Sequence, residues 1–451
     1  MANAKRQHIA IIGAGITGLT AAHELAAKGY PVTILEASNT VGGLAQGFPF
    51  EGNYLEPAYH HLFRTDRDII AFVSELGLTD QLRWLESSIA IYYNHHLYPF
   101  MTPLDVLRFS PLKFINRIRL GLVVLYLQKT KRWEKFVRVS AASWMKTMCG
   151  DQAYSVIWEP LLKGKFHRFA NEISMAWLWA RLHTRGNSKA KGDVKERLGY
   201  FTHGFHTFVQ RIVDVITESG VKIQLQTPIK RIESQRDGSI SIHLATSDHP
   251  LVADRVIATV PSPIFAQMIS GNPTVTQEYI QKLQSIQYLG AVLVVFSSKQ
   301  SLSNYYWTNI NDLHSPFLVC IEHTNLLPKE EYNNRHIFYL GTYVPHDHRF
   351  FSMSEPEIQQ EFFTYLQTIH PQFSVQDVVE SHVFRLKNAQ HIVDLEYTDK
   401  IPDFQTPVPG VYLANFSQIF PEDRGTNYAV RDGKAIAHRV MQDLTSYENS
   451  F

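Results

Sequence analysis

The sequence predicts an α/β fold in which a parallel sheet, assembled from separated stretches of chain, is interleaved with a second, α+β domain. Three stretches carry that prediction. Near the start, the apolar run Ile9, Ile11 and Ile12 leads into Gly13, Gly15 and Gly18 in the spacing G-x-G-x-x-G; a helical pattern follows, then the run 32–35 closed by Glu36. In the middle, a helical pattern over 207–218 precedes Gly220, an apolar run at 221–225 and another at 255–260. Near the end, 410–415 reads as a strand that delivers the chain to a helix running from about 426 to 444. At 451 residues the chain exceeds one ordinary domain, and 45% hydrophobic against 19% charged residues permits a large core and excludes disorder.

The first stretch predicts dinucleotide binding. Gly13 allows a tight turn, Gly15 lets the backbone approach a pyrophosphate, and Gly18 lets helix and strand pack closely. Ile16 and Thr17 open a helix whose free N–H groups and partial positive charge favour an anion. Glu36 is placed to hydrogen-bond a ribose hydroxyl. Three glycines alone would equally suit an ordinary turn; flanking strands, helix and acid together favour the cofactor. Ala37 then leads to Gly42, Gly43 and Leu44, where a second glycine pair suggests another close backbone approach to the same cofactor.

Composition limits the function classes. A formal net charge of +1 leaves no global footprint for nucleic acid. The two cysteines, Cys149 and Cys320, make neither a metal motif nor a disulfide framework, which points to a reducing, cytoplasmic setting. MANAKRQH runs directly into the first strand, so no signal peptide is expected. The apolar run 120–127 is too short to span a bilayer. His346-Asp347-His348 has no third ligand nearby in sequence and reads as surface; no metal is expected.

Taken in order, the segment Glu56 to Phe63 carries the pair His60 and His61, readable as a proton relay, as a substrate contact or as hydrogen-bonded structural histidines. Residues 66–76 form an amphipathic helix stopped by Gly77. From 108 to 138, nine basic residues face one acid, Glu134, around the apolar core LGLVVLYL. An interfacial membrane helix needs that combination, though a buried helix with a basic rim or a mouth steering an anionic substrate would share it. Residues 143–185 read as helical and aromatic, and 187–195 as a loop. Asp237-Gly238 marks a hairpin. Alternating strands at 288–296, 317–322 and 336–344 and a helix at 355–369 then form a sheet that roofs a pocket. Thr426 or Asn427 is expected to cap the final helix.

GAGITGLTAAHEL, the LEA that follows it and VGGLA resemble the flavin amine oxidase superfamily, which includes monoamine oxidases, protoporphyrinogen oxidases and carotenoid desaturases; UDP-galactopyranose mutases are related more loosely. The resemblance implies a Rossmann-like FAD-binding domain (GR2-type flavoprotein) at 1–80, 199–261 and 396–451, and a substrate domain at 81–198 and 262–395. It implies FAD, held non-covalently because no Cys or His offers a covalent link near the final helix. It places Ile229 at the adenine, the 59–63 segment beside the flavin ring, and the turn Arg424, Thr426 and Asn427 at the ring's pyrimidine end. The chain departs from the family where many members carry arginines around the glycine pair: Thr40 and Leu44 stand there. The implied activity is an FAD-dependent oxidoreductase that oxidises or desaturates a hydrophobic, lipid-like substrate by hydride transfer to flavin N5. The alternatives are a non-redox flavoenzyme on a nucleotide sugar, with Arg181 and Arg185 as diphosphate candidates, or an amine oxidase. The protein is expected in the cytoplasm, peripheral on an anionic membrane if 108–138 binds one.

Overall fold

The computed structural model describes residues 7–188 and 195–448. Most of the MANAKRQH start and of the 187–195 loop expectation lies outside them.

The chain builds its parallel sheet from five short strands in the order Val411–Leu413, Arg255–Ala258, Ile9–Ile12, Val32–Leu35 and Lys222–Gln224. Ile9–Ile12 sits at the centre and is wholly buried, as an all-apolar strand covered on both faces must be. Helix Ile16–Ala27 leaves its C-terminal end and packs against Thr426–Glu448 and Gly204–Glu218. All five strands point the same way, so Gly13, Glu36, Thr259 and Ala414 gather at one carboxyl edge, where ligands of open α/β sheets bind.

The second sheet has seven strands, ordered Val378–His391, Tyr288–Ser298, His336–Val344, Val319–Glu322, Trp307–Ile310, Ile89–Tyr93 and His96–Pro99. Every residue of Tyr288–Ser298 is buried, which accounts for its long unbroken apolar run. A hairpin-linked sheet, Ile229–Ser234 with Ile240–Leu244 and Leu251–Ala253, turns at Asp237-Gly238 as expected. Helices Ala141–Cys149, Glu159–Phe166 and Met175–Asn187 form a separate layer with its own core around Phe166, Trp177 and Leu162.

The basic stretch is less uniform than its composition suggests. Helix Phe114–Lys129 holds LGLVVLYL, but Arg117 donates to the Leu107 and Leu112 carbonyls, Arg119 to those of Thr147 and Met148, and Arg138 pairs with Asp399. Two guanidiniums thus satisfy carbonyls left open at helix ends. The helix buries only Leu120, Val123 and Leu127. The stripe Phe114, Ile115, Ile118, Leu122 and Leu125 faces outward, with Phe114, Ile115 and Leu122 more than 60% exposed, and Leu104 and Leu107 of helix Pro103–Arg108 extend it. No helix among the described residues is long and apolar enough to cross a membrane.

Candidate active site

The glycine loop has the form a pyrophosphate cradle needs. Gly13 has φ +105°, a conformation L side chains rarely adopt. A Cβ on Gly18 would lie 2.1 Å from the Gly13 carbonyl oxygen, so only glycine lets the helix sit this close to the strand. A Cβ on Gly15 would meet nothing within 4 Å, so its backbone faces open space on the ligand side. Ile16 is buried behind the loop while Thr17 is partly open. Gly42 donates to the Ala14 carbonyl at 2.8 Å, which stacks the second glycine pair directly on the first loop.

Glu36 accepts from Ala14 N at 2.7 Å and from Ser38 N at 2.8 Å. An ionised carboxylate has about four acceptor sites, so both oxygens keep capacity for a ribose hydroxyl. Ala37 is exposed beside it. Thr227 N donates to the Glu36 carbonyl at 2.8 Å, which brings the start of strand Ile229–Ser234 to the same edge. The residues expected at the adenine and pyrophosphate thus share one locus, and they fit FAD.

The remaining candidates line an open-mouthed cavity between the seven-stranded sheet and the helical layer. Leu44, the neighbour of Gly43, opens into it, as do His60, His61, Arg424, Thr426 and Asn427. Its walls are Ala291, Leu293 and Tyr343 of the large sheet on one side, and Leu161, Lys165, Arg181 and Arg185 of the helical layer on the other.

Both histidines are neutral near pH 7. Burial lowers His60 to about 4, and nearby Arg424 adds to the effect; burial and Arg185 lower His61 to about 3. The Ala58 carbonyl lies 2.6 Å from His60 Nδ1 and can only accept, so Nδ1 carries the proton and Nε2 is left as an acceptor. A relay that depends on an imidazolium at pH 7 does not fit these environments.

Asn427 does something the sequence did not show. Thr426 is the first residue of the final helix, and Asn427, instead of capping that helix, reaches across to another. Its Oδ1 accepts from Asp68 N at 2.9 Å and Ile69 N at 3.1 Å, the opening turn of helix Arg67–Glu75. Asp66, in the cap position of that helix, makes no cap bond and accepts from Phe63 N instead. The last helix is thereby tied to the segment that carries the histidines.

Glu56 anchors the same segment from its other end. It is fully buried, accepts from Phe205 N at 2.5 Å and Tyr200 OH at 2.8 Å, and burial raises it to about 7 despite those bonds. Sequence spacing also missed Lys165 and Asp423. Lys165 Nζ and Arg181 both reach Asp423 Oδ2, at 2.9 and 2.7 Å. Burial pushes the Asp423 carboxyl up, but Lys165, Arg181 and Arg424 outweigh it and hold the group well below the usual carboxylate range. Arg424 also donates to Tyr343 OH at 2.9 Å. A signal for Lys165 existed: with Leu161, Leu162 and Phe166 it shares the inward face of one helix.

His346, Asp347 and His348 bond to Lys387, Arg168 and Phe350 respectively, each apart from the others.

A profile of the family described as "Flavin containing amine oxidoreductase" matches residues 16–441. The chain belongs to this family. As a flavin-containing amine oxidoreductase it is a flavin-dependent enzyme with FAD as its cofactor. The tomato (Solanum lycopersicum) 15-cis-phytoene desaturase is 23% identical over 97% of this chain and 78% of its own. Coproporphyrinogen III oxidase of Staphylococcus aureus is 23% identical over 64% of this chain and 68% of its own. Among solved structures, a putative protoporphyrinogen oxidase from Exiguobacterium sp. 255-15 superimposes with TM-score 0.76 at 19% identity, covering 97% of this chain and 99% of that one. Putrescine oxidase bound to putrescine gives TM-score 0.72 at 15% identity, with 97% and 99% covered. At such identities the structural likeness speaks for the fold.

Proposed function

We propose that this flavoenzyme oxidises or desaturates a hydrophobic, lipid-like substrate that it takes up at an anionic membrane surface. One juxtaposition supports this reading above all. Helix Met175–Asn187 presents Ala180, Arg181, Thr184 and Arg185 to the cavity, while its other side rests on Phe114–Lys129: Trp179 Nε1 donates to the Thr130 carbonyl at 3.0 Å, and His183 Nδ1 lies 3.1 Å from that of Gln128. The outward apolar stripe of Phe114–Lys129 is therefore one helix away from the cavity wall. An apolar face flanked by Arg108, Lys113, Lys129, Lys131 and Arg132 suits anionic head groups.

In this proposal 1–80, 199–261 and 396–451 hold the cofactor, and 81–198 and 262–395 enclose the substrate. Gly13, Gly15, Ile16, Thr17 and Gly18 would receive the pyrophosphate, Glu36 and Ala37 the ribose, Ile229 the adenine, and Gly42, Gly43 and Leu44 the stretch toward the ring. FAD, when bound, supplies a hydride acceptor at N5. The protein orients the substrate between sheet and helices, excludes water, and offers neutral imidazoles at His60 and His61. Arg424, Thr426 and Asn427 close the ring end, where a helix start favours negative charge.

Anaerobic mixing of the FAD-loaded protein with polyenes, porphyrinogens and primary amines tests the reading. Flavin bleaching by a polyene or porphyrinogen is expected; bleaching by amines alone would refute it. Co-sedimentation with anionic vesicles, weakened by salt and lost in Phe114→Ser/Leu122→Ser/Leu125→Ser, is expected for the membrane surface. Equal recovery with and without vesicles would remove it.

A further inference from the structure

The cavity is apolar over much of its wall yet strongly cationic at one place. Among the described residues four cations, Lys165, Arg181, Arg185 and Arg424, line it against two carboxylates, Asp66 and Asp423. Asp66 is spoken for by Phe63 N, and Asp423 by Lys165 and Arg181. Arg185 is the least committed of the four. Among the described residues its nearest carboxylate oxygen, on Glu196, is 3.9 Å away, beyond hydrogen-bond reach, and Glu196 already accepts from Ser188 at 2.9 Å. Burial, with Arg181 nearby, lowers the pKa of Arg185, and burial lowers that of Lys165. Lys165 is buried, while Arg181 and Arg185 keep 27% and 33% of their side chains open, which leaves two guanidiniums facing the cavity where an anion can join them.

That anion is not the cofactor's pyrophosphate. The pyrophosphate cradle at Gly13, Gly15 and Gly18 is no part of the cavity lining, whereas Arg181 and Arg185 stand on the helical wall one turn apart. Guanidiniums at i and i+4 on one helix face suit bidentate recognition of a carboxylate or phosphate. Around them the wall turns apolar at Leu161, Phe63, Leu293 and Leu386.

We infer that the substrate is an amphiphile whose anionic end, a carboxylate or a phosphate, is seated by Arg185 and Arg181 while its apolar body lies along the sheet wall. This rests on the cavity being the substrate site of the proposed function, and it narrows that substrate from any hydrophobic molecule to an anionic one. It also gives the basic, apolar surface outside a purpose, since an anionic amphiphile resides in the layer that surface would face.

Calorimetric titration of the FAD-loaded protein tests the inference with laurate, dodecyl phosphate, dodecanol and UDP, each below its micelle-forming concentration. Laurate or dodecyl phosphate is expected to bind at least about tenfold more tightly than dodecanol. Arg185→Gln is expected to erase that preference, and Arg185→Lys to restore much of it, with FAD content and melting temperature unchanged. A charge-assisted hydrogen bond accounts for about a ten- to hundredfold effect of this kind. The better of the two anions identifies the head group as carboxylate or phosphate. Dodecanol binding as tightly as the anions, or a preference that survives Arg185→Gln and Arg181→Gln alike, would overturn the inference and leave the proposed function standing. UDP binding as tightly as dodecyl phosphate, and losing it with Arg185→Gln, would replace the amphiphile by a nucleotide. Failure of every chain-bearing probe to bind would overturn the substrate-cavity reading itself.

Discussion

Glu56 offers a prediction whose size follows from its surroundings. The carboxyl is fully buried, has two hydrogen-bond donors and no cationic partner among the described residues, and burial raises it to about 7 from an ordinary value of 4.5. A raised folded pKa means that the folded state holds the proton more tightly than the unfolded state. Between the two values the unfolded carboxyl ionises first, so stability declines as pH rises from 4.5 and levels off above 7. Linkage across those values gives a loss of about 2–3 kcal/mol between pH 5 and pH 8 from this one group. Glu56→Gln keeps an acceptor for Phe205 N, and the Tyr200 hydroxyl can reverse to accept from the new amide, so the variant keeps the contacts without the titration. Chemical denaturation of both proteins at pH 5, 6, 7 and 8, with free FAD held constant, reads the difference. The variant is expected to gain about 2–3 kcal/mol on wild type across that range. Other buried carboxyls, such as Asp66 and Asp432, titrate in both proteins and cancel. A stability difference that stays constant with pH would show that Glu56 is ionised in the fold and that the reasoning is wrong.

Three further predictions concern the cofactor and the cavity. Glu36→Ala is expected to weaken FAD binding about ten- to hundredfold in a fluorescence titration, the scale of one charge-assisted hydrogen bond; an unchanged Kd would place the ribose elsewhere. Asn427→Ala is expected to lower stability by about 1 kcal/mol with or without FAD, because it uncaps helix Arg67–Glu75; a loss seen only with FAD bound would refute the cap. With His60 at about 4 and His61 at about 3, flavin reduction is expected to show no histidine limb between pH 6 and pH 8, and a limb in that range that His60→Ala or His61→Ala abolishes would refute it.

Much of this enzyme was written locally. The G-x-G-x-x-G loop, the acid after the second strand and the Asp237-Gly238 hairpin state their conformations in consecutive residues, because turn geometry and helix starts depend on neighbours in sequence. The strands His336–Val344 and Tyr288–Ser298 were equally legible, since a strand covered on both faces is mostly apolar. The exposed stripe on Phe114–Lys129 was half legible: composition showed apolar and basic residues together, but which side faced outward depended on where Met175–Asn187 packed.

Other features required the folded chain. Asn427 caps a helix some 359 positions away, Glu56 meets Phe205 at a separation of 149, and Asp423 joins Lys165 from 258 residues distant. No local pattern encodes such pairings, because a side chain's partner across a cavity is set by the packing of whole sheets and helices. The protonation of His60 and His61 was hidden for the same reason. Their chemistry is set by burial and by Arg424 and Arg185, which only the tertiary structure brings beside them.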